Sequence, residues 1–185
     1  MPSANDIRKG MAIKYNGDVN IVLDMQHRTP GNLRAFVQAT LRNLKTGKSA
    51  VVRFASTEPI EVVSMTTRRV EYSYKDQVGY HFMDPDTYED LVLHEDFVGE
   101  NAKYLTENLS CVLMEVEGKP AELELPPVVE LKVLEAPPGV RGDTATNVTK
   151  PAKVEGGFEV GVPLFIEPGD VIRVDTRTGK YVSRA

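Results

Sequence analysis

Five consecutive residues, Pro30-Gly31-Asn32-Leu33-Arg34, carry the side-chain types best suited to act on another molecule. Pro30 presets one backbone angle of a turn and Gly31 permits positive φ, so the loop that begins at Thr29 is shaped and projected. Nothing structural calls for a leucine at a loop tip. Exposed apolar and cationic side chains on a preset loop usually mark contact with a partner. Arg34 can bind phosphate or stack on a base in a way lysine cannot, with Arg28 flanking it and Arg42 expected behind it. An ordinary surface loop is the competing reading.

A second group lies in the last third of the chain. Gly142-Asp143-Thr144 falls between predicted strands, where a carboxylate and a hydroxyl either meet base edges or close a turn on their own backbone. Tyr181 and Arg184 follow near the C-terminus, after Lys150-Pro151-Ala152, Val160 to Phe165 and Asp175-Thr176-Arg177-Thr178-Gly179. Short β runs ending in small polar and basic side chains suit a barrel that displays loops to a polyanion.

Bond-breaking chemistry is missing from the pattern. His27, His81 and His94 are scattered without metal-ligand spacing, and His94-Glu95 is not followed by a second histidine at helical distance. The acidic stretch Asp84 to Asp96 lacks the order of a calcium loop and reads as a solvated face or a surface for a basic protein. Cys111, the single cysteine, sits in an apolar run and reads as a buried small hydrophobe, which excludes an intrachain disulfide and fits a reducing cytosol. No catalytic residues, metal or small cofactor are expected.

Composition sets the frame for these groups. The 185 residues are 41% hydrophobic and 26% charged, as in ordinary globular proteins. No apolar run approaches the ~20 residues of a membrane span, and Met1 to Asp6 lacks a signal-peptide layout, so a cytoplasmic protein with no membrane role is expected. The net charge of −5 is unevenly spread: residues 1–64 carry nine Lys/Arg against five Asp/Glu, residues 65–127 five against fourteen, and residues 128–185 eight of each. A basic module can approach phosphates while an acidic one is held away from them.

The elements that must position these residues read as three small β modules. In residues 1–64, Asp6 to Gly10 forms a capped turn, Asn16-Gly17 a type I′ hairpin turn, and Val19–Asp24 pairs with Ala35–Leu41. Lys45 to Lys48 then turns the chain into Ala50–Phe54, completing an SH3-like barrel. In residues 65–126, strands are predicted at Arg69–Tyr74, Tyr80–Met83, Cys111–Val116 and Ala121–Leu125, with helical turns at Thr87–Leu91 and Asn101–Leu105. Strands with short helices at this length suggest an OB-type barrel. Residues 127–185 open with a strand at Val128–Leu134 and read as a second OB barrel ending near Arg184.

These segments, in this order, resemble the bacterial translation elongation factor P family over essentially the whole chain. The resemblance rests on Pro30-Gly31, Ala35-Phe36, Gly142-Asp143-Thr144, Lys150-Pro151-Ala152, Asp175 to Gly179, Tyr181 and Arg184. It implies an all-β protein of three barrels, SH3-like (KOW-like) then OB and OB, in an elongated, tRNA-like L shape. The implied function is binding the ribosome as a monomer between the peptidyl and exit tRNA sites and relieving stalls at consecutive prolines. The implied partners are the ribosome, peptidyl-tRNA and mRNA near the exit site. In the family, the residue after Pro-Gly reaches the peptidyl-transferase centre and is commonly a modified lysine or a rhamnosylated arginine. Here it is Asn32, which has neither the amine nor the guanidinium those modifications need, and Arg34 is the nearest cation to substitute. The Gly142-Asp143-Thr144 loop is implied to face mRNA, and Tyr181 and Arg184 the peptidyl-tRNA backbone. A paralogue with a different target and a general single-stranded RNA-binding OB protein are the alternatives.

Overall fold

A computed structural model of the chain describes residues 1–139 and 148–185. The architecture is all-β: the described strands fall into three five-stranded sheets. The first holds β1 (Ala12–Tyr15), β2 (Asp18–Arg28), β3 (Phe36–Asn43), β4 (Ser49–Ala55) and β5 (Val62–Val63), in the order β4-β3-β2-β1-β5. Asn16 and Gly17 both stand at positive φ, 52° and 82°, as a type I′ turn requires, so β1 and β2 pair from Tyr15↔Asp18 outward. Ile7, Ile13, Val22, Val37, Leu41 and Phe54 form the core of this sheet.

The second sheet holds β6 (Met65–Lys75), β7 (Tyr80–Met83), β8 (Asp90–Leu93), β9 (Ser110–Val116) and β10 (Lys119–Glu124), in the order β10-β9-β6-β7-β8. Glu117 and Gly118, at φ 52° and 78°, close the β9–β10 hairpin. The third holds β11 (Val128–Glu135), β12 (Thr149–Val154), β13 (Phe158–Pro163), β14 (Val171–Asp175) and β15 (Tyr181–Arg184), in the order β13-β12-β11-β14-β15. Every second residue of β12 is buried, and Val129, Leu131 and Val133 of β11 with Ile172 and Val174 of β14 fill the same core. This is the period-two burial of a sheet with one dry face.

Two local expectations change. The helical turn predicted at Thr87–Leu91 does not form, and the chain turns instead on Asp84, whose carboxylate accepts from the backbone N–H of Asp86 and Thr87 at 2.8 and 3.1 Å and whose carbonyl accepts from the Tyr88 N–H at 2.8 Å. Tyr88 then takes φ 60°, which ends the turn, and Asp90 to Leu93 pair with β7 as a strand. Within the acidic stretch read as a solvated face, Glu95–Val98 forms a short helix, α1, with the His94 ring accepting from the Asp96 N–H at 3.2 Å and Val98 buried. Near the N-terminus the expected turn forms, with the Met11 N–H donating to the Arg8 carbonyl at 3.2 Å and Gly10 at φ 88°, and a further 3₁₀ turn, Ala4–Asp6, precedes it, closed by Asp6 accepting from the Ser3 N–H and hydroxyl.

The described residues form two compact units, residues 1–67 with 113–122 and residues 68–112 with 123–185. In the first, Val116 packs with Ala12, Ile21 and Val63, and Met114 and Ala121 lie against the same cluster. In the second, the core of the third sheet includes Tyr104, the last residue of a 3₁₀ segment at Gly99–Tyr104. The predicted turn at Asn101–Leu105 corresponds to this segment.

Candidate nucleic-acid interface

The tip loop joins the two longest strands of the first sheet, whose ladder runs from Asn20↔Asn43 to Arg28↔Phe36. Pro30, Gly31, Asn32, Leu33 and Arg34 are all exposed, and Leu33 is 72% exposed. Pro30 occupies the first place of the turn and accepts from the Leu33 N–H at 2.9 Å, while Gly31 stands second at φ 34°. Proline therefore supplies the acceptor carbonyl, and glycine supplies the left-handed bend that other residues resist. Asn32 sits at the crest of this turn with its amide in solvent.

The cations around the tip differ from the expected set. Arg34 has no hydrogen-bond or ion-pair partner among the described residues, so its guanidinium is available to an outside anion. Arg28 donates to Gln26 at 2.8 Å. Arg42 does not back the tip. It pairs with Ile21 near the opposite end of the ladder, six residues beyond Phe36, and its guanidinium is held by Glu122. At ~3.3 Å per residue that is about 20 Å from the loop. Arg53 takes the place expected for Arg42: it lies across from Gln38 on β4 with its guanidinium 3.6 Å over the Phe36 ring. The signal was present in the sequence as an arginine one alternation step from Phe54, but only the β3–β4 register brings it beside the tip.

The second predicted group lies partly on β15. Ile172 faces Arg184 and Arg173 faces Ser183, but Val174 faces Tyr181, so Val182 is the extra residue of a bulge. Tyr181 and Arg184 are three apart, which in a regular strand places them on opposite faces. Here their partners are two apart, so the bulge brings both to one face. Tyr181 packs half-buried against the core of the third sheet, and Arg184 reaches Asp170 at 3.2 Å while remaining 57% exposed. The preceding turn is held by Asp175, whose carboxylate accepts from the N–H groups of Arg177 and Thr178 at 2.7 and 3.2 Å. Gly142, Asp143 and Thr144 lie outside the described residues. Lys150, from the Lys150-Pro151-Ala152 motif, is buried and donates to the Pro137 carbonyl at 2.7 Å.

The three histidines do not come together. His27 is exposed on β2, and His94 caps α1. His81 lies with 9% of its side chain exposed between Asp76 and Asp90, its ring stacked 4.2 Å from that of Tyr74. Burial pulls its pKa down, but the two carboxylates outweigh burial and raise it above 6.5. Among the described residues no group of three or more His, Cys, Asp or Glu is placed to hold a metal. Cys111 is buried, which pushes its thiol up to about 12 and leaves it inert. No helix among the described residues is long and apolar enough to cross a membrane.

Comparison with known proteins accounts for this arrangement along the whole chain. The model described as the elongation factor P (EF-P) KOW-like domain matches residues 3–60, that of the elongation factor P (EF-P) OB domain residues 65–123, and that of elongation factor P, C-terminal, residues 129–184. The chain is 46% identical over 182 residues to elongation factor P of Acidobacterium capsulatum, covering 98% of each protein. It is 46% identical over 184 residues to that of Alkaliphilus metalliredigens, covering 100% of both. Among solved structures, the eukaryotic translation initiation factor 5A from Methanococcus jannaschii matches 66% of this chain and 92% of its own length, with a TM-score of 0.50 and 17% identity, a likeness of fold. Matched from end to end by the three successive domains of one translation factor, and 46% identical to its relatives at full length, the chain belongs to the elongation factor P family.

Proposed function

We propose that this translation factor binds the ribosome between the peptidyl and exit tRNA sites and speeds peptide-bond formation at consecutive prolines. It contributes no catalytic group and no cofactor; the ribosome supplies the chemistry. The observation that carries the reading is the tip: an exposed turn on a long two-stranded ladder, ending in Leu33 and in Arg34, which has no ion-pair partner among the described residues. Pro30, Gly31, Asn32, Leu33 and Arg34 are assigned to the acceptor end of peptidyl-tRNA, Tyr181 and Arg184 to its backbone, and Gly142, Asp143 and Thr144 to mRNA near the exit site. The protein acts in the cytoplasm as a monomer.

The physical account is orientation. The proline ring restrains both the reacting amine and the nascent chain, so the acceptor end samples unproductive geometries. A factor that grips the tRNA at two places reduces that disorder, and effects of this kind are worth several kcal/mol. A thousandfold acceleration needs only ~4 kcal/mol. Asn32 favours a second reading, a family member tuned to a particular set of stall sequences, because its tip lacks the usual modifiable cation. Synthesis from templates with and without proline runs, each with and without the protein, tests the proposal. Stimulation confined to the proline templates supports it, and equal rates on all templates overturn it.

A further inference from the structure

Tyr104 lies in the stretch matched by the OB-domain model, residues 65–123, yet its side chain belongs to the core of the third sheet. It is 4% exposed and packs with Val129, Leu131, Val160 and Ile172. Its ring meets Phe158 edge-on, with centroids 5.4 Å apart and planes at 80°. The Lys103 ammonium stands 5.1 Å from the Tyr104 ring and 5.0 Å from that of Phe158, within cation–π range of both.

Two glycines of the third sheet make room for this segment. Gly156, in the β12–β13 turn at φ 95°, lies so close to the Lys103 carbonyl that an added Cβ would overlap its oxygen. Gly179, which ends the β14–β15 turn, is near enough to the Tyr104 hydroxyl that a Cβ there would stand 3.3 Å from it. Beyond that turn Tyr181 packs on the same core. One side chain from outside the sheet thus sits under the hairpin that carries Tyr181 and Arg184.

We infer that Tyr104 is a positioning residue for the proposed RNA contacts: it seats the β14–β15 hairpin and fixes where Tyr181 and Arg184 stand relative to the second sheet's strands β7 and β8. A buried aromatic packed on three elements leaves little freedom for the hairpin to move, because filled cores have discrete arrangements. The inference rests on the assignment of Tyr181 and Arg184 to peptidyl-tRNA, and it adds the element that holds them.

The test uses the full chain with nitroxide labels at Asp86→Cys and Arg177→Cys, both exposed positions, Cys111 being too buried to label. Electron–electron distance measurements should give a narrow distribution in the otherwise unchanged protein. Gly156→Ala, which wedges Lys103 away and also strains the backbone at φ 95°, should broaden it, and the unlabelled variant should relieve proline stalls at least tenfold less well. Gly179→Ala provides a milder second probe. Its Cβ presses on the Tyr104 hydroxyl, so combining it with Tyr104→Phe should recover at least threefold of the loss, a coupling that general destabilisation would not produce. Unchanged distributions in both glycine variants overturn the inference, as does a broadened distribution with full relief of stalling. If the unchanged protein relieves no stall, the proposed function fails instead, and the distance measurement alone decides whether Tyr104 seats the hairpin.

Discussion

Arg53 lies with its guanidinium 3.6 Å over the Phe36 ring, at the foot of the loop that carries Arg34. The two arginines therefore differ in kind. Arg53 is engaged with an aromatic face, an arrangement worth ~0.5–1 kcal/mol when exposed. Arg34 is unengaged. Removing Arg53 should lower stability slightly, and removing Arg34 should leave stability unchanged while removing a contact with the partner.

Arg34→Ala is accordingly expected to reduce proline-dependent synthesis about tenfold while changing ribosome affinity less than threefold. Losing a transition-state contact lowers the rate without lowering binding in proportion. Asn32→Ala should have the smaller effect, since a neutral amide makes ordinary hydrogen bonds worth ~1 kcal/mol each. Rates and affinities measured for both variants check this. Equal stimulation by Arg34→Ala and the unchanged protein would show that the tip acts through another side chain.

Purified from its own cells, the protein should carry no added lysyl or rhamnosyl mass on Asn32. Its side chain is a neutral amide, whereas the family's additions are built on an amine or a guanidinium. Fragmentation mass spectrometry of the peptide spanning Pro30 to Arg34 reads this directly. Added mass on Asn32 would refute it, and added mass on Arg34 would relocate the functional cation to a modified one.

Much of this fold was legible because its signals are local. Asn16-Gly17 and Glu117-Gly118 announce hairpins through the φ > 0 their turns demand, and the strand read at Val128–Leu134 forms, with Val129, Leu131 and Val133 on its dry face. What stayed hidden depends on register or on distant packing. Arg42 looks like a tip cation until its partner Glu122, eighty residues away, is known. Tyr104 looks like a residue of its own module until the third sheet closes over it. The four-residue helix Glu95–Val98 is too short to show a period of 3.6. At the tip, exposure of Leu33 followed from the sequence, but the place of Pro30 in the turn did not, because Pro-Gly suits more than one turn.

A fragment ending at residue 64 should be less stable than the first unit in the intact chain. It would lose Val116, which covers Ala12, Ile21 and Val63, and would leave Arg42 without Glu122. Exposing a valine-sized contact typically costs ~1.5–3 kcal/mol. Thermal melts of residues 1–64 and of the full chain, followed by amide signals from β2 and β3, test this. Equal midpoints would mean that residues 113–122 contribute nothing to the first core.

The second unit should lose stability as pH rises from 6 to 8, and His81 is the reason. Its Nε2 lies 2.9 Å from Asp76, close enough for an ion pair although not lined up as a hydrogen bond, and its Nδ1 lies 3.4 Å from Asp90. Only the imidazolium is attracted to both carboxylates at once, through its Nδ1–H to Asp90 and through its charge to Asp76. Burial opposes that charge, but the carboxylates prevail and hold the folded pKa above 6.5. The folded state then binds the proton more tightly than the unfolded state. The resulting stabilisation is fully present below pH 6.5 and disappears as pH climbs through the folded value. At the acid end the sign reverses. Burial would raise Asp76, but the N–H groups of Gly79 and Val78 and the His81 ring hold it below 3.8, and the N–H groups of Asp86 and Thr87 do the same for Asp84. Their contribution is present above pH 3.8 and is lost as pH falls through the lowered values. Denaturant melts across pH 3 to 9 should therefore show greatest stability near pH 5 to 6, and His81→Gln should flatten the limb between 6 and 8 while leaving the acid limb in place. An alkaline limb that survives His81→Gln would assign the titration to another group.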